Sequence, residues 1–317
     1  MGGESGPAMP AGALDRCLMA IGVFDGVHVG HRTILREMVA TARLAGLVPA
    51  VITFEPHPLE VLVPGRGPLR LTSGRVKASL IRSTGVEELI TVPFDQALAA
   101  VEPESFVREH LFRWCRPVEV FVGFNFTFGA GGRGTAETLA ALGRSCGFGV
   151  RVFDPVVLDG LTVSSTLIRE VVAGGEVGLA AKLLGRPHQV PGTVVRGDGR
   201  GRGLGFPTAN VEPEQNLVVP GTGVYAAWVL LGGRSCPAVV NSGRRPTFGG
   251  GSGRLEAHLL CFDGDIYGRT VEIMFIGRLR DEIAFESPEA LRLQIARDIS
   301  AAQSILGLGA RGPAVPS

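Results

Sequence analysis

The chain has 317 residues, 45% hydrophobic and 19% charged, a composition that excludes an extended disordered protein and leaves length for two cores. Lys+Arg 31 against Asp+Glu 30 gives a net charge of +1, so no global field exists to hold nucleic acid or a membrane surface. Five cysteines (Cys17, Cys115, Cys146, Cys236, Cys261) lack C-x-x-C spacing and are odd in number, which points to reduced thiols rather than a zinc ribbon or a disulfide framework.

Residues 1–13 are rich in Gly, Pro and Ala and read as a loose tail without the basic start and apolar centre of a signal peptide, so a cytoplasmic location is the default expectation. From residue 18 to about 157, apolar strand-like runs at 18–24, 47–54, 88–94, 118–124 and 150–153 alternate with helix-like segments at 31–45, 75–83, 103–115 and 135–146. That alternation predicts a parallel sheet with helices on both faces, whose ligands sit beyond the carboxyl ends of the strands. Two short helices, 166–173 and 176–184, end at Gly185-Arg186-Pro187, where a domain boundary is expected.

After that point the texture changes to short strands with frequent glycines, at 189–195, 208–211, 223–231, 238–240, 255–262 and 270–276, which predicts a small antiparallel barrel. The uncharged run 217–233 is broken by Pro220, Gly221 and Gly223 and reads as a turn and strand, not a membrane span. A last helix opens at Ser287-Pro288, with Leu291, Ile295, Ile299, Ala302 and Leu306 as its apolar stripe. The expected divisions are thus a tail 1–13, a first domain 14–185, a second domain 186–309 and a tail 310–317.

The stretch Gly22-Val23-Phe24-Asp25-Gly26-Val27-His28-Val29-Gly30-His31 joins a strand to a helix and suits a polyphosphate, because backbone N–H groups and a helix dipole converge there. If the helix opens near His28, then His28 and His31 share one face and can donate to phosphate oxygens. Half of a metal site is the weaker alternative, since no third and fourth ligand lie nearby. The chain has only two lysines, Lys77 and Lys182, and neither sits in a Walker A loop, so any ATP chemistry needs another phosphate cradle.

Pro56 and Pro58 hold His57 in an extended backbone and aim its ring, for packing or for a ligand. Phe124, Asn125, Phe126 and Phe128 set aromatic faces around one amide, which suits a flat ring system or a core. In Val163-Ser164-Ser165-Thr166-Leu167-Ile168-Arg169, hydroxyls and a guanidinium meet on one face at a helix start and can clamp a phosphate. The glycine-dense run 197–205, with Arg196, Arg200 and Arg202, can bring N–H groups against phosphates. Thr208 and Asn210 share one face of an extended chain and offer oxygens to a hard cation such as Mg²⁺. Glu256 and His258 alternate with Leu255, Ala257 and Leu259, which puts a carboxylate where it can take a proton from an alcohol.

The decamer resembles the nucleotidylyltransferase motif at the start of bacterial bifunctional riboflavin kinase/FAD synthetases. The Phe54-x-Pro56-His57-Pro58 turn and the Ser164-Ser165-Thr166-x-x-Arg169 run are similar to further motifs of that family. Gly203-x-Gly205-Phe206-Pro207-Thr208-Ala209-Asn210, Asn241-x-Gly243-x-x-Pro246-Thr247-Phe248, Glu256-x-His258-Leu259 and Gly264-Asp265-x-Tyr267-Gly268 resemble its riboflavin kinase module, in order. The resemblance spans about residues 18–306. Two departures stand out: Thr162 lies where some relatives carry a basic residue, and Ser242 replaces a usual aliphatic one.

The resemblance implies a Rossmann-like nucleotidylyltransferase domain followed by a riboflavin kinase β-barrel with a terminal helix. It implies Glu256, His28 and His31 as catalytic. It implies Gly22, Phe24, Gly30, Ser165, Thr166, Arg169, Gly203, Gly205, Thr208 and Asn210 as binding ATP or its phosphates, with Thr208 and Asn210 also holding Mg²⁺. Asn125, Phe124, Phe128, Asn241 and His57 are implied at the flavin. Riboflavin, FMN and ATP are the implied partners, with neither nucleic acid nor membrane, and oligomerisation is left open. The rival readings are an enzyme with one degenerate site, a flavin carrier without turnover, and an RNA-related protein, the last disfavoured by the near-zero charge.

Overall fold

The computed structural model describes residues 14–197, 205–243, 254–262 and 264–308. The chain divides into two compact units, Met1–Pro68 with Gly74–Thr162, and Leu69–Ser73 with Val163–Ser317.

In the first unit, strands β1 (Leu14–Ile21), β2 (Val48–Glu55), β3 (Glu88–Pro93), β4 (Cys115–Gly123) and β5 (Gly149–Phe153) form one sheet in the order β3-β2-β1-β4-β5, every pair parallel. The apolar run of β1 lacks alternation because both faces of the sheet are covered. Cys17, Met19 and Ile21 pack on one side with Ile52, Val120, Trp114 and Leu139; Leu18 and Ala20 pack on the other with Leu35, Met38, Val51 and Phe121. Helix α1 (Val29–Ala45) buries Ile34, Leu35, Met38, Val39 and Ala42, the stripe that its spacing predicts. Helices α2 (Pro58–Leu62), α3 (Gly74–Arg82) and α4 (Ala136–Cys146) follow the strand order. The single helix expected over 103–115 is a composite, α-helical at Pro103–Ser105, π-helical at Phe106–Leu111 and α-helical again at Phe112–Trp114. A wide turn of that kind is set by packing, here of Phe106, Val107, Leu111 and Trp114 into the core, and has no signature in local spacing.

In the second unit, α5 (Ser165–Ala173) and α6 (Val177–Leu184) precede six strands: β6 (His188–Val195), β7 (Ala209–Pro213), β8 (Gly223–Leu231), β9 (Arg234–Gly243), β10 (Arg254–Leu259) and β11 (Thr270–Arg280). They close into an antiparallel barrel in the order β6-β7-β10-β9-β8-β11. Val190, Val211, Tyr225, Val240, Leu255, Ile273 and Phe275 fill its interior, and Val177 of α6 joins them. Strand β9 is far longer than the expected 238–240, because the tight β8–β9 hairpin pairs Leu231 with Arg234 and zips the two strands up to Gly223 and Ser242. The change of texture at residue 185 marks where strands begin; the packing division lies at 162/163, since α5 and α6 pack with the barrel. The second unit also includes Leu69–Ser73, where Arg70 N–H donates to Asn216 O at 2.7 Å and Val218 N–H to Arg70 O at 2.9 Å.

The terminal helix α7 (Pro288–Ile305) starts at Ser287, whose hydroxyl accepts from Ala290 N–H, and lays Ile299, Ala302 and Leu306 on Val224, Ala226 and Val239. Its one buried charge, Asp298, receives Arg280 of β11 through Nε and Nη2 at 2.8–3.1 Å, and Gln294 Nε2 at 2.8 Å. Removing the carboxylate leaves a guanidinium that keeps only 20% of its side-chain exposure. Asp298→Ala should therefore cost roughly 3 kcal/mol. The two tryptophans fall one to each unit, Trp114 and Trp228. Urea unfolding read by Trp228 fluorescence in a Trp114→Phe background should show an earlier barrel transition; an unchanged midpoint would remove this pair from the account of barrel stability.

Candidate functional site

On the first unit the β1–α1 turn supplies the first cluster. His28 is the N-cap of α1, a position that usually takes Ser, Thr, Asp or Asn, and its Nδ1 accepts from His31 N–H at 3.2 Å. A nitrogen that accepts cannot carry the proton, so the neutral His28 ring is protonated at Nε2 and presents a donor there. The two imidazoles stack with centroids 3.6 Å apart, and Phe24 meets His31 edge-on at 5.2 Å. A Cβ on Gly30 would fall 3.2 Å from the His28 ring, so glycine is what lets the ring lie against the helix. Burial, and then the neighbouring His28, hold His31 well below the usual histidine range, so it is neutral near pH 7. Its Nδ1 is buried with no hydrogen-bond partner among the described residues.

Phe24 and Val27 take positive φ of 52° and 40°, uncommon for any non-glycine and costly for a β-branched residue. The strain is contained by Thr53 Oγ1 donating to Val23 O at 3.0 Å, Gly22 N–H to Ile52 O at 3.1 Å and Val27 N–H to Phe24 O at 3.1 Å. Asp25 and His28 are buried at 4% and 6% exposure, so they belong to a formed turn and not to a solvated loop.

The β2–α2 turn repeats the device. His57, 7% exposed, is the N-cap of α2, and its Nδ1 accepts from Leu59 N–H at 3.1 Å, which again leaves Nε2 as the donor. The sequence shows that prolines aim this ring but not what anchors it. Buried Lys77 of α3 donates from Nζ to Phe54 O at 2.8 Å and to the Glu55 carboxylate at 3.1 Å, fixing the strand end just before the turn. Its rarity as one of two lysines is the signal that could have flagged it.

At the end of β4, Phe124 is half exposed and Asn125 is exposed. Phe128, expected to face the flavin, is buried in the core with its ring 5.5 Å from Phe106 and stacked on Phe126 at 5.6 Å. The run Phe124 to Phe128 therefore divides by burial, and Phe124 alone of the two flavin-assigned rings is open to solvent.

On the second unit, Ser164 is the N-cap of α5, accepting from Leu167 N–H at 3.2 Å, so Ser165 and Thr166 open the helix and Arg169 lies one turn on. Thr166 is exposed while Ser165 and Arg169 are partly buried. In the barrel, register assembles a row that spacing alone does not. Glu256 of β10 pairs with Asn210 of β7 on one side and Asn241 of β9 on the other. The three polar side chains alternate with Val211, Leu255 and Val240, which point into the core. Thr208 precedes Asn210 by two residues and shares its face. Asn210 is buried, and a Cβ on Gly197 would fall 1.9 Å from its amide, so the chain leaving β6 crosses directly over it.

His258 Nδ1–H donates to Pro207 O at 2.8 Å and meets Phe206 edge-on, holding the segment that leads to Thr208; this positioning role is not legible in the sequence. Asn241 Nδ2 donates to Glu282 at 3.4 Å, and Ser242 donates to Pro220 O at 2.7 Å, a bond that an aliphatic residue could not make. Gly205 is exposed with φ +85°, whereas Gly203, Arg200, Arg202, Pro246, Thr247 and Phe248 lie outside the described residues. Among the described residues no three His, Cys, Asp or Glu side chains gather as a metal cluster, and no helix is long and apolar enough to cross a membrane.

The family model described as FAD synthetase matches residues 11–167, and that described as riboflavin kinase matches residues 184–306. The bifunctional riboflavin kinase/FMN adenylyltransferase of Escherichia coli (strain K12) is 40% identical over 293 residues, 92% of this chain and 93% of the relative. Its counterpart in Bacillus subtilis (strain 168) is 35% identical over 289 residues, covering 89% of this chain and 90% of that one. A crystal structure titled as a macrolide-efflux protein from Streptococcus pneumoniae superposes with a TM-score of 0.85 at 31% identity, over 92% of this chain and 95% of that chain.

The lowered pKa of His31 carries a sign. Below about pH 6.5 the unfolded chain takes up a proton at this ring that the folded chain does not, so stability falls as pH drops. The expected slope is up to about 1.4 kcal/mol per pH unit until the folded ring also protonates. Unfolding midpoints measured between pH 7.5 and 5.5 should drop more steeply in the natural chain than in His31→Gln; equal slopes would show that His31 titrates normally.

Proposed function

The chain belongs to the family of bifunctional riboflavin kinase/FMN adenylyltransferases, and from that premise we propose how its residues divide the two reactions. The protein is a transferase that phosphorylates riboflavin to FMN and then adenylylates FMN to FAD. Both steps use ATP, which implies a divalent cation. The observation that carries the division is the presence of two separate polar clusters, the stacked histidines in the first compact unit and the Asn210–Glu256–Asn241 row in the second.

For the kinase step, Glu256 accepts the proton of the ribityl 5′-hydroxyl as that oxygen attacks the γ-phosphorus of ATP and ADP leaves. A positioned base of this kind supplies roughly 10²–10⁴ in rate. Thr208 and Asn210, with Gly205 and Gly203, hold the nucleotide, and Asn241 supports the flavin. The hydroxyl of Thr208 and the amide oxygen of Asn210 are hard oxygen donors, so they fit Mg²⁺. When bound, the cation neutralises phosphate charge; orientation of the nucleotide by Gly197 over Asn210, and of Thr208 through His258 and Pro207, belongs to the chain itself.

For the adenylyl step, a phosphate oxygen of FMN attacks the α-phosphorus of ATP and pyrophosphate leaves, so no protein nucleophile is needed. Charge growing on the leaving oxygens is met by donors fixed beforehand. His28 Nε2–H is such a donor, locked by its cap, and His31, held neutral by burial and by the neighbouring ring, adds a dipole without a positive charge. Gly22, Phe24 and Gly30 shape the turn; Ser165, Thr166 and Arg169 bind phosphate; Asn125, Phe124 and His57 serve the flavin. Phe128 contributes through the core instead of by contact. Free thiols at all five cysteines support work in a reducing cytoplasm.

Products separated by chromatography after incubation with Mg²⁺, ATP and either riboflavin or FMN test the division. His28→Ala should lower FAD formation by about 10²–10⁴-fold while FMN still accumulates from riboflavin. Glu256→Ala should lower FMN formation roughly 10²-fold and leave FAD formation from supplied FMN intact. Parallel loss of both activities in either variant would contradict separate sites.

A further inference from the structure

Lys77 is buried, 6% exposed, on the inward face of α3 beside Val76 and Ile81. An ammonium in such a place forfeits its hydration and is seldom found without strong partners. Both of its partners lie at the end of β2: Nζ donates to Phe54 O at 2.8 Å and to the Glu55 carboxylate at 3.1 Å. The register of the sheet explains why a side chain is needed there. Ile52 is the last residue of β2 paired with β1, and its carbonyl accepts from Gly22 N–H at 3.1 Å as that chain turns away. Phe54, two residues on, points its carbonyl to the same side, beyond the end of the β1–β2 pairing. Lys77 supplies there the donor that the neighbouring strand no longer does. On the opposite side, Glu55 O accepts from Phe94 N–H at 3.0 Å. The peptide planes on either side of Glu55 are thereby fixed, one by this ammonium and one by the chain leaving β3, and with them the approach to Pro56 and His57.

His57 has little freedom of its own. Its ring is pinned to Leu59 N–H, and its carbonyl accepts from Glu60 N–H at 2.8 Å. Ring and helix start therefore move as one piece with the strand end that precedes them. We propose that Lys77 is a positioning residue for adenylyl transfer, holding the end of β2 so that His57 Nε2–H meets the flavin of FMN. The proposal rests on the reading of His57 given above. All of its residues belong to the first compact unit. Without the ammonium, Phe54 O must find another donor, and the peptide that carries it turns and takes His57 with it. A substrate hydrogen bond lost in this way weakens binding by about 10-fold. Because a contact to the flavin is the same before and during attack at phosphorus, the loss falls on KM and not on kcat.

The test is steady-state kinetics of FAD formation in Lys77→Met, Lys77→Arg, His57→Gln and the double variant Lys77→Met/His57→Gln. FMN and ATP are varied in turn, with riboflavin phosphorylation measured beside them. Lys77→Met keeps the length of the side chain and loses its donors. It should raise KM for FMN by about 10-fold, with kcat, KM for ATP and riboflavin phosphorylation unchanged. Lys77→Arg keeps a charged donor in a different shape and should recover part of the loss. The double variant should be no worse than His57→Gln alone, because the lysine acts through that ring. A merely structural role gives another pattern: a smaller folded fraction lowers kcat at constant KM, and its effect adds to that of His57→Gln. That pattern overturns the proposal, as does an unchanged KM for FMN in Lys77→Met beside a raised one in His57→Gln. If Lys77→Met does not fold, KM for FMN is read in Lys77→Arg, where an unchanged value overturns the proposal. If His57→Gln itself leaves KM for FMN unchanged, the assignment of His57 to the flavin fails, and the proposal falls with it.

Discussion

The hydrogen bond from His31 N–H to His28 Nδ1 sets the chemistry of the first unit before any ligand arrives. It begins α1, chooses the tautomer of His28 and stacks the two rings, and burial, with the neighbouring ring as the lesser cause, keeps His31 unprotonated. The strain of Phe24 and Val27 is what this arrangement demands of the backbone: a turn tight enough to bring strand β1 directly onto a helix whose cap is a ring instead of a hydroxyl. His57 uses the same bond at α2, so two turns of one sheet display an Nε2 donor by the same means. Preorganisation here is local, built from residues within three positions of each other, and the sheet only has to hold the turns still.

The barrel works by the opposite logic. Glu256, Asn210 and Asn241 are far apart in the chain and meet only because β10 lies between β7 and β9. A one-residue slip of β10 would turn Glu256 into the core and Leu255 outward. Register is guarded by the hydrophobic interior and by the long β8–β9 hairpin, so the polar row inherits its precision from apolar packing. His258 extends that control beyond the strand, since its ring, two residues from Glu256, carries the Pro207 carbonyl and with it the approach to Thr208.

What could be read from the chain was whatever depends on near neighbours. Most strand and helix positions, the stripe of α1 and the start of α7 at Ser287 follow from spacing and capping. Contacts across long separations were not legible. The π-helical stretch at Phe106–Leu111, the burial of Phe128, the grip of Lys77 on the end of β2 and the reach of Arg278 to α5 each depend on a partner that no periodicity announces. Phe128 is instructive: three phenylalanines around one asparagine look alike in sequence, and only the sheet decides which ring turns inward. The change of texture at residue 185 is real, but it records where β-structure begins; which elements pack together is decided by Val177 and the α5 terminus against the barrel.

The short segment Leu69–Ser73, paired with the barrel unit through Arg70, makes that unit discontinuous along the chain. During synthesis this piece leaves the ribosome well before its partners around residues 216–218, so the second unit cannot be completed in the order of translation. The same discontinuity bears on how such genes can be rearranged. A single fission between residues 73 and 163 leaves Leu69–Ser73 with the first unit, so a barrel carved from this chain as an independent enzyme would have to replace that piece.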